Sequence, residues 1–395
     1  MIMVSWGPSD QKNYYFNETY WLCFMLCSYD LDSDRTVPLI EAVDLFCGIG
    51  GLTYGLRTSN IRVKAGYDVD ASCKYAYEKN NEGSKFILTD IKKLSGDDVS
   101  KEYSDKCFRV LVGCAPCQPF STMNNNRGQP SQDGRWNLLD EFGRLVKEVS
   151  PDIVSMENVP RIKNTDVFKD FVNTLYKNNY NVDYKVVYCP NYGIPQSRRR
   201  LVLLASKMGT IKVPDGEYRN KKHITVDDTI GNLHPIAAGS ASVSDGAHIS
   251  SSLSDKNIDR IKKSIPGGSW KDWDDETLVS ECHKKETGKS YGSVYSRMKG
   301  DCVSPTITTQ FYRFGTGRFG HPTQDRALSL REGALLQTFP PTYKFFEDKK
   351  EFCLTAVGRH IGNAVPVKLG SAIGGTIVEH IKEEVQRHER IQTEN

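Results

Sequence analysis

Apolar residues fall along this chain in short unbroken runs, separated by polar or glycine-rich breaks. Ala42-Val43-Asp44-Leu45-Phe46, Arg62 to Gly66, Lys85 to Asp90, Arg109 to Val112, Asp152 to Met156, Tyr184 to Cys189 and Leu201 to Ala205 each fit a buried strand. Leu52 to Arg57, Trp136 to Val149 and Asp166 to Lys177 carry apolar residues at helical spacing between them. This alternation predicts an α/β fold: a doubly wound, mostly parallel sheet with functional groups at the C-terminal ends of its strands. The pattern lapses from Ser206 to about Gly300, where Lys, Asp, Ser and Gly dominate and Gly239 to Ser254 is nearly all small or polar. A second, small and irregular domain is expected there. Ser329-Leu330-Arg331-Glu332 is a capping box that opens a helix to Gln337. Pro366 opens a last helix, in which Val367, Gly370, Ile373, Ile377, Ile381 and Val385 recur at helical spacing and should pack back on the first domain. The expected division is 39–205 with 341–395 as one discontinuous domain, 206–340 as the second, and 1–38 as an extension to which no chemistry attaches.

The strand ends carry the candidate chemistry. Gly48-Ile49-Gly50-Gly51 follows the first strand and precedes a helix, which makes a cradle for a cofactor: glycine lets a ligand approach the backbone, and the helix start offers free N–H groups. Asp68 ends the second strand and suits a ribose hydroxyl pair; Asp90 ends the third and can accept from an adenine amino group. Taken singly, each acid fits a turn or helix cap equally well. After the fourth strand, Gly113, Pro116 and Pro119 force a stiff, non-helical turn that holds Cys117. A thiolate there is a candidate nucleophile. A buried structural cysteine, a redox Cys114-x-x-Cys117 pair and half of a zinc site compete for the same residues. Thr122 to Gly134 is polar and aperiodic, as in a closing loop. Glu157 stands at the fifth strand end, and Arg198-Arg199-Arg200 abuts the last strand. Thr306 to Gly320 interleaves Arg, aromatic and Gly residues, a mixture that suits phosphate contact and base stacking, and aromatic packing equally.

The totals narrow the setting. A length of 395 residues fits two domains. Eleven cysteines without regular spacing point to free thiols in a reducing cytoplasm, and no second Cys-x-x-Cys completes a zinc site. The longest apolar run, Tyr20 to Cys27, is too short to span a membrane. A net charge of +3 permits a basic groove for nucleic acid without requiring one.

Six motifs in order then carry a resemblance: Phe46-Cys47-Gly48-Ile49-Gly50-Gly51, Pro116-Cys117-Gln118, Glu157-Asn158-Val159, Gln196-x-Arg198-x-Arg200, Arg331-Glu332 with Gln337-x-Phe339-Pro340, and Gly362-Asn363-Ala364-Val365-Pro366. From about Glu41 to Gly375 the chain resembles the cytosine-C5 DNA methyltransferases of bacterial restriction–modification systems. The resemblance implies S-adenosylmethionine as methyl donor, no metal, and double-stranded DNA as partner. It also implies a monomer that is either a solitary enzyme or the counterpart of a companion restriction endonuclease that reads the same site without binding the chain. Cys117 would add to C6 of a flipped-out cytosine, with Glu157 acting at N3 and the exocyclic amine. Arg200 would hold O2, and Arg198 would fix the Glu157 strand end or a phosphate. Phe46, Gly48, Gly50, Gly51, Leu52, Asp68, Val69, Asp90, Ile91, Pro116, Leu138, Asn363 and Val365 would form the cofactor pocket. Val69 departs from the bulky aromatic often found at its place. Gln118, Ser121, Arg127, Arg297, Arg313 and Arg318 are the expected DNA contacts. A tRNA-modifying branch tends to show Cys-Phe-Thr after Glu-Asn-Val; here Pro160-Arg161-Ile162 follows, which favours DNA. A nicotinamide dehydrogenase would account for the glycines and Asp68 but not for Pro116-Cys117-Gln118. A non-catalytic DNA-binding relative is opposed by the expected residue type at every catalytic position.

Overall fold

The computed structural model describes residues 38–116, 138–347 and 352–394. Its strands are β1 (Ile40–Leu45), β2 (Arg62–Asp68), β3 (Lys85–Leu88), β4 (Phe108–Gly113), β5 (Ile153–Asn158), β6 (Asn181–Tyr188) and β7 (Arg199–Ser206). They form one sheet in the order β3-β2-β1-β4-β5-β7-β6. The pairs among β1 to β5 are parallel, and β7 runs antiparallel to both its neighbours. The sheet is thus mostly parallel, as expected. The reversal at β7 follows from its connection. The stretch from Cys189 to Arg198 is too short for a parallel crossover, which takes about a dozen residues or more.

Helices cover both faces. In chain order they are α1 (Gly51–Arg57), α2 (Lys74–Asn80), α3 (Gly96–Ser100), α4 (Leu138–Val149), α5 (Asp166–Lys177), α6 (Val226–Ile230), α7 (Asp255–Lys263), α8 (Glu281–Lys284), α9 (Leu330–Leu336), α10 (Leu354–Asn363) and α11 (Val367–Glu394). Every residue of β1 is buried, as an interior strand sandwiched by helices requires. Its side chains alternate between two cores. Val43 and Leu45 pack with Phe142, Leu145 and Val146 of α4 and Phe168 and Leu175 of α5. Ala42 packs with Leu52 and Leu56 of α1 and Ile373, Ile377 and Ile381 of α11. The last helix does return to the sheet.

The stretch after β7 makes isolated bridges in place of a sheet. Val226, Ile230, Ile307, Phe311 and Leu328 share one core cluster with Tyr77, Phe86 and Tyr343. Smaller clusters around Ile261, Phe314 and Ala327, and around Trp270, Trp273 and Leu278, hold the rest. The capping box is present: the Glu332 N–H donates to Ser329 Oγ at 3.1 Å, and the Ser329 N–H to Glu332 Oε2 at 2.7 Å.

The contact between α1 and α11 runs through glycine. A Cβ on Gly55 would lie 2.5 Å from the Val367 carbonyl oxygen and 2.7 Å from Gly370 Cα, and backbone on that side cannot give way cheaply. Gly55→Val should therefore lower stability by about 1–3 kcal/mol through overpacking. Gly375, further along α11, has nothing within 4 Å of a built Cβ. There Gly375→Ala should raise stability by up to about 1 kcal/mol through helix propensity alone. Urea unfolding of both variants beside the parent checks the pair.

Candidate active site and cofactor pocket

The sheet register decides which side chains meet. Leu45 pairs with Tyr67 on one side and Gly113 on the other, Gly113 pairs with Met156, and Asp68 pairs with Leu88. The residues at or just beyond these pairs form one edge: Phe46, Asp68, Asp90, Cys114 and Glu157. This is where a doubly wound sheet holds its ligands.

The turn after β1 is tight. Phe46, Gly48 and Gly50 all take left-handed backbone, with φ of 60°, 51° and 83°. The three expected pocket glycines do different things. Nothing lies within 4 Å of a Cβ built on Gly48, so it faces open space. A Cβ on Gly50 would fall 2.4 Å from Asn81 Nδ2, and one on Gly51 2.5 Å from the Val365 carbonyl oxygen. Both are pressed against protein: Gly50 against Asn81 and Tyr77 of the α2 region, and Gly51 against the last motif, where it sets the approach of α1. The Gly48 N–H donates to Asp68 Oδ2 at 2.8 Å, and the Asp70 N–H to Oδ1 at 2.9 Å. Asp90 accepts from the Lys92 N–H at 3.0 Å as a helix cap. Val69 and Leu88 stand 73% and 56% exposed on the same rim, while Leu52 and Ile91 lie buried behind it. Pro116 and Asn363 are exposed, Leu138 is half-buried at the start of α4, and Val365 is buried. An open glycine face, exposed apolar side chains and two carboxylates together fit a nucleoside: a flat apolar ring beside hydroxyl and amino groups.

One buried acid here was not anticipated. Asp44 is 1% exposed and accepts from Thr53 Oγ1 at 2.7 Å. Burial pushes its carboxyl up to about 7, against the Thr53 bond and with help from the Asp68 charge. The available signal was a lone acid inside an otherwise apolar strand. Nearby, Asp70, Cys73 and His360 bring potential metal-ligand atoms within 4.8 Å of one another. Arg359 Nη2, 2.8 Å from Asp70 Oδ2, already supplies that carboxylate with a counter-charge.

The fifth strand end is held from three sides. Glu157 is 3% exposed, and Cys114 Sγ donates to its Oε2 at 2.8 Å. Arg200 Nε lies 2.9 Å from Oε1 as an ion pair, yet off the N–H direction, so Oε1 accepts no hydrogen bond. Asn158 Nδ2 donates to the Ala115 carbonyl at 3.0 Å and ties the turn after β4 to β5. Arg198 lies near Glu157 but directs its hydrogen bonds elsewhere. Expected among the catalytic residues, it is 2% exposed and donates to the carbonyls of Ile307, Gly362 and Ala364 at 3.3–3.5 Å. Burial, reinforced by Arg200, lowers its guanidinium to about 9. Arg198 is therefore a positioning residue that fastens the last motif. Gln196 works beside it, donating to Gln337 Oε1 at 2.9 Å and accepting from the Ile307 N–H at 2.8 Å. Cys117, Gln118, Ser121 and Arg127 lie outside the described residues.

Residues 40–379 match the model of the C-5 cytosine-specific DNA methylase family. The chain belongs to this family. It is a DNA (cytosine-5-)-methyltransferase. It is 50% identical over 339 residues to the type II methylase M.HgiDII of Herpetosiphon aurantiacus, covering 85% of this chain and 94% of that one. It is 26% identical over 367 residues to the type II methyltransferase M1.HphI of Haemophilus parahaemolyticus, covering 91% and 93%. The solved structure of the Entamoeba histolytica methyltransferase EhMeth has the same fold, with a TM-score of 0.61 at 16% identity, covering 87% of this chain and 99% of that one.

In this methyltransferase the expected DNA contacts divide by burial. Arg313 and Arg318 are exposed. Arg297 is not available to DNA. It is 6% exposed, donates to the carbonyls of Ile261, Ser264, His321 and Gln324, and pairs with Asp325. The aromatic rings between Thr306 and Gly320 do not stack on bases either: Phe311, Tyr312, Phe314 and Phe319 are all buried. Beneath them lies an ion pair with no exposure at either partner. Arg326 donates to Glu332 through two bonds of 2.8 and 2.6 Å. Burial works against the Glu332 carboxylate, yet these bonds hold its carboxyl below the usual range. Glu332→Gln would leave the Arg326 charge buried without a counter-ion and should cost about 3–5 kcal/mol. Thermal or urea unfolding measures it; a loss under about 1 kcal/mol would mean that water reaches the pair.

Proposed function

We propose that this methyltransferase acts on one specific cytosine, flipped out of double-stranded DNA, through a covalent bond between Cys117 and C6. It would serve as the modification enzyme of a type II system, alongside an endonuclease that reads the same site, or as a solitary enzyme. The names of its relatives support the first alternative. The observation that carries the chemistry is Glu157: a buried carboxylate at a strand end, with one oxygen free of hydrogen bonds and an arginine beside it.

C5 of cytosine is too weak a nucleophile to take a methyl group unaided. A thiolate that adds at C6 turns the ring into an enamine, and the electrons then sit at C5. Cys117 follows directly on Pro116 in the sequence, and the described residues before it, Cys114 and Ala115, are bonded to Glu157 and Asn158 of β5. Charge that develops on the ring needs a proton at N3. Glu157 supplies it from its free oxygen and takes a bond from the exocyclic amine. Arg200 holds O2 and orients the acid. S-adenosylmethionine supplies the electrophilic methyl group. Gly48, Asp68, Val69 and Asp90 would hold the nucleoside part of that cofactor, with Phe46 and Asn363 closing the pocket. After transfer, C5 loses its proton to water, the C6–S bond breaks so that Cys117 leaves as thiolate, and N3 returns its proton to Glu157. The base is unreachable inside a duplex, so it must leave the stack. Residues 39–205 and 341–395 would bind cofactor and base, and 206–340 would read the sequence, with Arg313 and Arg318 exposed for contact. A monomer suffices for this arrangement, because every residue it uses comes from one chain.

Duplex DNA should accept labelled methyl from S-adenosylmethionine, and bisulfite sequencing should place 5-methylcytosine at one recurring site. Label in tRNA alone would overturn the DNA reading.

Cys117→Ser should lose turnover and keep DNA binding in a gel-shift assay. Glu157→Gln should lower kcat by about 10²–10⁴-fold, the usual scale for a lost general acid. A Cys117→Ser chain with full turnover would remove that residue as nucleophile.

A further inference from the structure

Cys114 stands three residues before the candidate nucleophile, and the mechanism above makes no use of it. Gly113 ends β4 paired with Met156, so Cys114 and Glu157 are the next residues on adjacent parallel strands. Cys114 packs against the core cluster of α1, α11 and β4. Its Sγ lies 2.8 Å from Glu157 Oε2. Burial, with the Glu157 charge next to it, pushes the Cys114 thiol well above its usual range. It stays an S–H and serves as a donor rather than as a second nucleophile.

We infer that Cys114 is a positioning residue for Glu157: its thiol holds Oε2, and the other oxygen is thereby presented, beside Arg200, to the cytosine. The inference rests on the catalytic reading of Glu157. A glutamate has three side-chain torsions, and the Arg200 ion pair alone does not fix them, because its N–H is off-line to Oε1. With Oε2 held by the thiol, rotation about the last torsion would break a hydrogen bond. Oε1, buried and without a bond of its own, is then the oxygen that meets the base. Asn158 makes the matching link in the reverse direction, from β5 to the Ala115 carbonyl. The nucleophile's turn and the acid's strand end are thus joined by one side chain from each.

The test is steady-state methyl transfer to duplex DNA with three substitutions. Cys114→Ala should lower kcat by about 10–100-fold and leave KM for DNA and S-adenosylmethionine nearly unchanged, because a misplaced acid costs rate rather than binding. Cys114→Val, which fills the volume without a donor, should be as slow. Cys114→Ser, which keeps a donor but packs less well, should restore kcat to within a few-fold. A purely structural role predicts the opposite order, with Val best and Ser worst. That order, or an Ala variant as fast as the parent, overturns the inference while the catalytic reading stands. Should the Ala variant fail to fold, the Ser and Val pair still decides between the two orders. A parent chain that transfers no methyl to duplex DNA overturns the catalytic reading and this inference with it.

Discussion

The register of β1, β4 and β5 is the constraint on which the rest depends. Leu45 sits beside Gly113, and Gly113 beside Met156. One step past that line stand Phe46, Cys114 and Glu157, so the glycine-rich turn, the turn after β4 and the Glu157 carboxyl come from three adjacent strands. A slip of one residue in any pairing would turn Glu157 to the other face, where α4 and α5 pack. The register is protected because both faces are buried: Val43 and Leu45 fit one core and Ala42 the other. The arrangement of these groups is thus a consequence of apolar packing some way below it.

A second junction holds what comes from further along the chain. Gln196 and Arg198 precede β7, Gln337 ends α9, and the 361–364 turn belongs to the last motif. The Gln337 amide donates to the Ile361 carbonyl at 2.8 Å and accepts from Gln196, while Arg198 reaches the carbonyls of Gly362 and Ala364. Gln196 and Arg198 both also hold Ile307, in the irregular region. Apart from Arg198 Nε, these groups satisfy one another in a place that water does not reach, where an unpaired amide would cost about 1–3 kcal/mol. The junction therefore sets the angle between the sheet and the irregular region without a continuous strand passing between them.

What the sequence revealed follows the same physics. Interior parallel strands must be apolar runs, and the groups at their ends are the residues that such runs cannot contain. The strands, the capping box at Ser329 and the acid at Glu157 were legible for that reason. Helices of four to ten residues, such as α2, α8 and α10, are shorter than the window in which helical periodicity shows. Arg297 and Arg198 were misread because a guanidinium is charged, and its burial depends on carbonyls that converge only in three dimensions. Those on Arg297 come from Ile261 and from Gln324, 63 positions apart along the chain, on either side of it. The bond from Cys114 to Glu157 is not legible in the sequence, since a hydrogen bond across two strands leaves no trace in spacing. Gly50 and Gly51 were placed in the pocket, although their missing side chains make room for Asn81 and for the Val365 carbonyl.

Arg198 and Arg200 are two positions apart at the start of β7 and have different tasks, and the difference bears on the nucleophile. Both lie near Glu157, and each lowers the cost of an anion there. Counting the three groups gives two guanidinium groups beside one carboxyl. A thiolate brought to this strand end would meet a field that favours it, which a buried cysteine in apolar surroundings would not. Arg198 is held by neutral carbonyls rather than by a carboxylate, so its charge is not cancelled locally. Its burial carries a cost, seen in a guanidinium lowered to about 9. That cost is understandable if the uncancelled charge serves both purposes, fastening the last motif and keeping the strand end electropositive. A lysine in its place could not span three carbonyls with a fixed planar fork, and a neutral residue would fasten the turn without supplying the field.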